Sequence, residues 1–386
     1  MDFSFTELQE EIRAGVRQIC QRFDDQYWLK CEEEGLYPTE FVKAMSDAGW
    51  LSALIPEEYG GAGLGFTEAS IILEEINRCG GNANACHAQM YTMGALLRHG
   101  TEEQKRRYLP DIASGKLRLQ SFGITEPDAG TDTTNIKTFA VKKGDRYIVN
   151  GQKIFISRFN NTDLMLLLAR TTPRDRVAKK TQGISLFLVD KRNVGDQIVA
   201  HKVKTMLGAD TNILYINDLE IPEENLIGEE GNGLYCVLDG MNAERILVSG
   251  EAIGNGKWFI EKAVQYANTR VVFGRPIGQN QGIQFPIAKA YMSLQAAEVL
   301  NYKAAWLFDK GLPCGAEANM SKYLCAEAAW EAAEACMQTY GGYSAANEYH
   351  INRKWKETRI MRIAPISANL ILSYVGQHVL GMPRSF

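Results

Sequence analysis

Between residues 119 and about 228 the chain changes texture, and that change limits its possible folds more than any other feature. Short runs with strand character (139–141, 147–149, 164–169, 184–189 and 213–216) stand between two tracts whose apolar residues repeat at helical spacing. Ahead of them, Thr6-Glu7-Leu8-Gln9 fits a capping box, and Leu8, Ile12, Val16, Ile19 and Phe23 then mark one face of a helix. Further helices are predicted around 39–48 and 67–77, separated by the turn Pro56-Glu57-Glu58-Tyr59-Gly60-Gly61. Another opens at a second capping box, Thr101-Glu102-Glu103-Gln104, with Pro110 expected to break or bend it. From Leu234 onward long helices are predicted, interrupted near Gly274-Arg275-Pro276, Gly311-Leu312-Pro313 and Gly341-Gly342. The chain therefore reads as mostly α with a central β domain: an N-terminal helical domain over 1–118, a middle β domain over 119–230 and a C-terminal helical bundle over 231–386.

Charge and cysteine usage narrow the function classes. The 386 residues are 45% hydrophobic and 23% charged with a formal net charge of −4, so there is ample core material and no basic excess to favour nucleic acid or an anionic membrane surface. No run reaches the ~20 apolar residues that span a bilayer. Met1-Asp2-Phe3 leads into an acidic amphipathic helix with no basic n-region, apolar h-region or Arg-rich transit segment. Cys20, Cys31, Cys79, Cys86, Cys236, Cys314, Cys325 and Cys336 form no CxxC pair and read as reduced thiols, so the expected location is cytoplasmic. His87 and His99 read as helix-surface or packing residues, and no metal-type spacing links them to His201, His350 or His378, so no metal site is expected.

The chemistry-bearing stretch is 122–157. Its first half, Phe122-Gly123-Ile124-Thr125-Glu126-Pro127-Asp128-Ala129-Gly130-Thr131-Asp132, is a hydroxyl-rich turn in which Gly130 lets backbone approach a bound group. Its second half, Asn150-Gly151-Gln152-Lys153-Ile154-Phe155-Ile156-Ser157, carries an Asn-Gly hairpin signal and ends on an aromatic able to lie against a ring system. By residues alone the first half is either a ligand loop or an exposed turn, and Phe155 either a ligand contact or a core strand aromatic.

This stretch resembles the signature of the acyl-CoA dehydrogenase family, with both halves in the family's order and spacing; the 56–61 turn is also similar, and the resemblance covers essentially the whole chain. It implies an acyl-CoA dehydrogenase-like fold with a β-barrel-like middle domain, and FAD as cofactor. Thr125, Gly130 and Thr131 match residues on the flavin and thioester side, and Phe155 and Ser157 stand where the family has Trp and Thr against the isoalloxazine. Arg270, Phe273 and Gln281 match the family's ArgxxPheGly and Gln at the diphosphate and adenosine ends of FAD. Gln338, Gly341 and Gly342 match a stretch that in relatives approaches the FAD of a neighbouring subunit, which implies a homotetramer. Ser367 and Asn369 fall at family positions near the flavin.

The family's reaction pairs removal of an α-proton from an acyl-CoA with hydride transfer to flavin N5, and many relatives supply the base from a C-terminal Tyr-Glu-Gly-Thr motif. Here the corresponding run, Arg362-Ile363-Ala364-Pro365-Ile366-Ser367-Ala368-Asn369, places Pro365 where that Glu stands, and proline has no N–H with which to polarise the thioester. A minority branch, including isovaleryl-CoA and long-chain enzymes, carries the base on a helix immediately before an Arg, and Met241-Asn242-Ala243-Glu244-Arg245 is similar to that placement. The resemblance thus implies Glu244 as base, with a surface helix Glu as the bland alternative, and Arg245 and Thr131 on the substrate side. Dehydrogenation of an acyl-CoA with electrons passed to an electron-transfer flavoprotein is the leading expectation. The alternatives are an enoyl-CoA reductase similar to crotonobetainyl-CoA reductase, or a non-catalytic flavin or acyl-thioester binding subunit.

Overall fold

A computed structural model describes residues 4–207 and 210–384; the Met1-Asp2-Phe3 lead lies outside them. The chain begins with helices α1 (Glu7–Cys20), α2 (Asp25–Glu34), α3 (Thr39–Asp47), α4 (Phe66–Arg78), α5 (Asn84–His99) and α6 (Glu102–Ala113). Both capping boxes form: Gln9 N donates to Thr6 Oγ1 at 3.3 Å and Gln104 N to Thr101 Oγ1 at 3.1 Å, with each Gln side chain returning a bond to the cap N–H. Helix α2 had no readable periodicity, since only Trp28 and Leu29 are buried in it. Pro110 does not end α6, which runs on to Ala113. The carbonyl a proline leaves without a donor belongs to the residue four back, and Arg106 is exposed, so water can satisfy it.

Strands β1 (Leu119–Gly123), β2 (Phe139–Lys143), β3 (Arg146–Ser157), β4 (Leu164–Arg170), β5 (Ile184–Asp190), β6 (Ile198–Lys202), β7 (Thr211–Pro222) and β8 (Leu226–Ile227) follow. Then come α7 (Gly233–Thr269), a hairpin of β9 (Val271–Val272) and β10 (Arg275–Pro276), α8 (Gln281–Asp309), α9 (Gly315–Tyr340), α10 (Ile351–Ile360) and α11 (Ala368–Tyr374). The helical breaks predicted at 274–276, 311–313 and 341–342 all separate elements.

The chain divides into two compact units that interleave in sequence. One comprises 34–64 and 84–241 and holds the sheet, ordered β6-β7-β3-β2-β4-β5-β8 with β1 parallel on β4. Its core is the inward row of these strands, with Tyr147, Val149, Leu167, Phe187 and Leu214 essentially without exposure. The Asn150-Gly151 pair is not the hairpin turn it was expected to be: β2 and β3 are joined at Gly144-Asp145, and Asn150-Gly151 lies inside β3 where its register against β7 shifts. Gly is needed there because a Cβ would stand 2.4 Å from Thr138 Oγ1 and 2.7 Å from Thr138 Cα.

The other unit comprises 1–33, 65–83 and 242–386, a bundle of α1, α2, α4, most of α7 and α8 to α11. Helix α7 crosses α4 so closely that a Cβ on Gly254 would lie 2.2 Å from the Glu74 carbonyl oxygen. Helix α9 presents Ala326, Ala329, Ala332 and Ala333 to its neighbours, small side chains that let long helices pack against one another. Among the described residues no helix is long and apolar enough to cross a membrane, and no group of three or more His, Cys, Asp or Glu is placed to hold a metal ion.

Candidate functional site

In the sheet-bearing unit, the loop after β1 is tied down on both sides. Glu126 and Ala129 exchange backbone bonds at 3.1 Å around the Pro127-Asp128 tip, and Thr125 O accepts from Ile154 N at 2.9 Å, which sets Thr125 beside β3 next to Phe155. Beneath the loop the Glu126 carboxylate, 5% exposed, accepts from Lys137 N at 2.6 Å, Thr138 N at 3.0 Å and Lys153 Nζ at 2.8 Å. Lys153 has no exposure and also donates to Ile124 O at 3.1 Å. Burial pulls the Lys153 ammonium down to about 8 against the attraction of Glu126. For Glu126, burial pushes up, but the Lys153 charge and the Lys137 N–H outweigh it and hold the carboxyl below its ordinary value. Both residues belong to the quoted motif, yet nothing in their local pattern marks them as the loop's foundation.

The rim of the loop is open. Gly130 and Thr131 are exposed, and a Cβ on Gly130 would meet nothing within 4 Å. Phe155 is 60% exposed with φ of +59°, at the second register shift between β3 and β7, so it is no core strand aromatic. Such backbone strain in a bulky residue, with the ring left in solvent, suits a side chain held out for a ligand. Ser157 lies two residues on, its Oγ 3.4 Å from Thr211 Oγ1.

In the helical unit, α7 carries Glu244 and Arg245, each 9% exposed, so Glu244 is no surface glutamate. Arg245 Nη1 donates to Asn242 Oδ1 at 2.9 Å, while its buried Nε has no hydrogen-bond partner among the described residues. Burial lowers the Arg245 guanidinium against the opposing pull of Glu244. Segment 363–372 holds no acid, and the carbonyl after Pro365, that of Ile366, accepts from Lys322 Nζ at 2.8 Å. Ser367 caps α11, accepting from Leu370 N at 3.4 Å, and Asn369 is exposed in the helix's first turn.

A cavity of about 470 Å³ in the same unit is lined by Arg270, Gly341 and Gly342, together with Tyr266, Tyr340 and Tyr343, which the sequence reading missed. Tyr266 stacks on Tyr340 with ring centroids 4.0 Å apart, and the Arg270 guanidinium sits 5.5 Å over the Tyr343 ring. A Cβ at Gly341 or Gly342 would meet no neighbour within 4 Å, which leaves bare backbone open at the cavity. A cation, flat aromatic walls and bare backbone fit the adenosine diphosphate end of FAD. The sequence reading set Arg270 apart from the glycines as contacts from different subunits; here one chain brings all three to a single cavity. Phe273, at the tip of the β9–β10 hairpin, is fully exposed, and Gln281 at the start of α8 and Gln338 near the end of α9 are exposed without lining the cavity.

Family profiles described as acyl-CoA dehydrogenase N-terminal, middle and C-terminal domains match residues 6–116, 121–219 and 231–375. The chain belongs to the acyl-CoA dehydrogenase family, whose members are FAD-binding oxidoreductases. It is 35% identical over 379 residues to an acyl-CoA dehydrogenase of Bacillus subtilis (strain 168), covering 97% of this chain and 99% of that one. Among solved structures, a glutaryl-coenzyme A dehydrogenase in complex with glutaryl-CoA superposes with a TM-score of 0.92 at 29% identity, covering 100% and 98% of the two chains. A chain in the structure described as "Electron transferring flavoprotein of Acidaminococcus fermentans: Towards a mechanism of flavin-based electron bifurcation" gives a TM-score of 0.92 at 31% identity, covering 98% and 100%.

Proposed function

We propose that this acyl-CoA dehydrogenase converts an acyl-CoA thioester to its trans-2-enoyl-CoA, with Glu244 taking the α-proton. The observation that carries the reading is a carboxylate 9% exposed on α7 beside Arg245, in a chain whose 363–372 segment offers no other acid. A buried carboxylate is a stronger base than a solvated one, which the weakly acidic α-proton requires. Arg245, whose buried Nε has no hydrogen-bond partner among the described residues, is assigned to the substrate side, and so is Thr131. Pro365 offers no N–H, so polarisation of the thioester oxygen falls to other donors.

Thr125, Gly130, Thr131, Phe155, Ser157, Ser367 and Asn369 are assigned to the flavin end of FAD, and Arg270, Phe273, Gln281, Gln338, Gly341 and Gly342 to its diphosphate and adenosine end. FAD, when bound, supplies the acceptor for the β-hydride. The fully exposed Phe273, beside exposed Val271 and Val272, supports burial against a second copy, and we assign a homotetramer with each FAD contacting two chains. An electron-transfer flavoprotein is the proposed electron acceptor. The three sequence domains, 1–118, 119–230 and 231–386, and a cytoplasmic location are kept within this reading.

Anaerobic titration of the yellow holoenzyme with acyl-CoAs graded in length, branching and ring content tests the function. Bleaching of the flavin with formation of enoyl-CoA is expected. Inertness to the whole panel, with turnover only of an enoyl-CoA under reducing conditions, would instead favour the reductase; inertness in both directions would favour a binding subunit.

A further inference from the structure

We propose that Arg170 is a positioning residue for the loop assigned to flavin and thioester: its guanidinium fixes the far end of that loop, and with it the open rim at Gly130 and Thr131. The proposal rests on the assignment of Thr125, Gly130 and Thr131 given above. Arg170 closes β4 and is 4% exposed. Its side chain donates to four backbone carbonyls: Thr134 O at 2.7 Å, Gln182 O at 3.3 Å, and Ile136 O and Thr172 O at 3.5 Å. Its own N–H donates to Thr138 O at 2.8 Å. A buried guanidinium is costly, and an apolar side chain could close the strand without that cost. What the charge adds is a rigid fork of donors, which gathers carbonyls from two segments, 134–138 and 172–182, that lie outside the strands.

Segment 134–138 is what ties this contact to the site. It runs from the turn Thr133–Asn135 into β2, just after the exposed Gly130, Thr131 and Asp132. Its carbonyls at 134, 136 and 138 accept from Arg170, while its N–H groups at 137 and 138 donate to Glu126 at 2.6 Å and 3.0 Å. The peptide joining Ile136 to Lys137 therefore has a cation at its oxygen and an anion at its N–H, an arrangement aligned with its own dipole. Lys153 holds the near end of the loop through Ile124 O, and Arg170 holds the far end through Thr134 O. Between these anchors the rim is bonded within the loop itself: Ala129 N to Glu126 O at 3.1 Å, Thr133 Oγ1 to Gly130 O at 3.3 Å, Asn135 N to Asp132 O at 3.1 Å and Lys137 Nζ to Asp128 at 2.8 Å. Bonds of that kind fix the rim's shape; its place is set by the two buried cations. A displacement of about 1 Å at a positioning element costs on the order of 10²-fold in rate, so the far anchor bears directly on the reaction.

The test compares Arg170→Met and Arg170→Lys with the wild type, all loaded with FAD. It takes three readings: amide hydrogen exchange over 129–136, visible circular dichroism of the bound flavin, and the limiting rate of flavin reduction at saturating concentration of the acyl-CoA that bleaches the wild type fastest. Arg170→Met should quicken the exchange, alter the flavin bands and slow the limiting rate by about 10²-fold. Arg170→Lys keeps the charge but loses the fork, so it should recover part of that loss and stay about tenfold slow. Quickened exchange with unchanged flavin bands and rate would make Arg170 a structural residue only and overturn the proposal, and so would unchanged exchange. If Arg170→Met does not fold or load FAD, Arg170→Lys decides: a wild-type rate and spectrum overturn the proposal, and the intermediate loss upholds it. Failure of the dehydrogenase reading is separately visible. In that case no acyl-CoA reduces the wild-type flavin, and the exchange and the flavin bands still decide the positioning.

Discussion

Replacing Lys153 by Met asks whether the loop bearing Thr125, Gly130 and Thr131 is held from beneath by charge. The change keeps an apolar stem of similar reach but removes the ammonium that bonds Glu126 at 2.8 Å and Ile124 O at 3.1 Å. Glu126 would keep only its two backbone donors, at 2.6 Å and 3.0 Å. Removing one member of a buried ion pair costs about 3–5 kcal/mol because an uncompensated charge stays buried. With two N–H groups still in place the lower end, ~3 kcal/mol, is expected. For a unit of this size that lowers the melting transition by ~6–12 °C. The pH dependence gives a second check. In the wild type Glu126 is held below its ordinary value of 4.5, so its contribution is present above that value and lost as pH falls through the folded one. Without the ammonium, burial raises Glu126 instead, and protonation relieves the variant; the gap between the two proteins should therefore narrow on acidification. Thermal unfolding by near-ultraviolet circular dichroism at pH 7 and pH 4.5 measures both effects. A drop of less than 2 °C, or a Glu126→Gln/Lys153→Met double variant no more stable than the single one, would refute the reasoning.

Three other outcomes are expected. Glu244→Gln should slow stopped-flow flavin reduction by roughly 10²–10⁴-fold, the scale of a positioned acid–base group, with FAD content and affinity for a nonreactive acyl-CoA analogue little changed; near wild-type speed would send the search for the base elsewhere. Tyr343→Ala should loosen FAD on dilution, because Arg270 loses the ring 5.5 Å beneath it, whereas Tyr343→Phe should retain it; equal FAD retention in the two variants, read by flavin fluorescence in the filtrate, would remove Tyr343 from the site. Pro365→Ala should leave flavin reduction similar or faster, since proline contributes no donor, and a loss of several orders of magnitude with FAD still bound would show that the ring itself shapes the pocket.

Where one residue and its near neighbours decide the structure, the sequence was a sufficient guide. The capping boxes at Thr6 and Thr101 need only a hydroxyl and a Gln three residues apart, and both form as read. The β-rich middle was legible because its strands keep branched and aromatic residues over short runs bounded by turns. Asn150-Gly151 misled because the same dipeptide suits a tight turn and a close backbone approach, and only the position of Thr138 in space decides between them. Phe155 could not be placed in advance either: its exposure follows from a register shift against β7, more than fifty residues downstream. The cavity shows a similar division. Arg270 and the glycines were readable as a motif, but Tyr266 and Tyr343 join them only once α7 and the 341–345 turn are brought together.

The buried cations mark the limit of a sequence reading most clearly. A lysine amid polar neighbours reads as a solvated face, and nothing local separates Lys153, Lys322 or Lys354 from the many lysines that are solvated. Their partners lie far along the chain: Ile124 O is 29 residues from Lys153, Ile366 O is 44 from Lys322 and Gly81 O is 273 from Lys354. In each case an ammonium reaches through the core to the carbonyl of an irregular segment whose backbone has no ladder to join. Such a segment could be anchored by water, but a buried charge–dipole bond fixes it more firmly, since hydrogen bonds to charged groups are worth about 1.5–3 kcal/mol where neutral ones are worth about 1. Two of the three anchored carbonyls immediately precede residues assigned above to the flavin end of FAD, Ile124 before Thr125 and Ile366 before Ser367. The same device thus explains how the loop that leaves Gly130 and Thr131 open keeps its own shape.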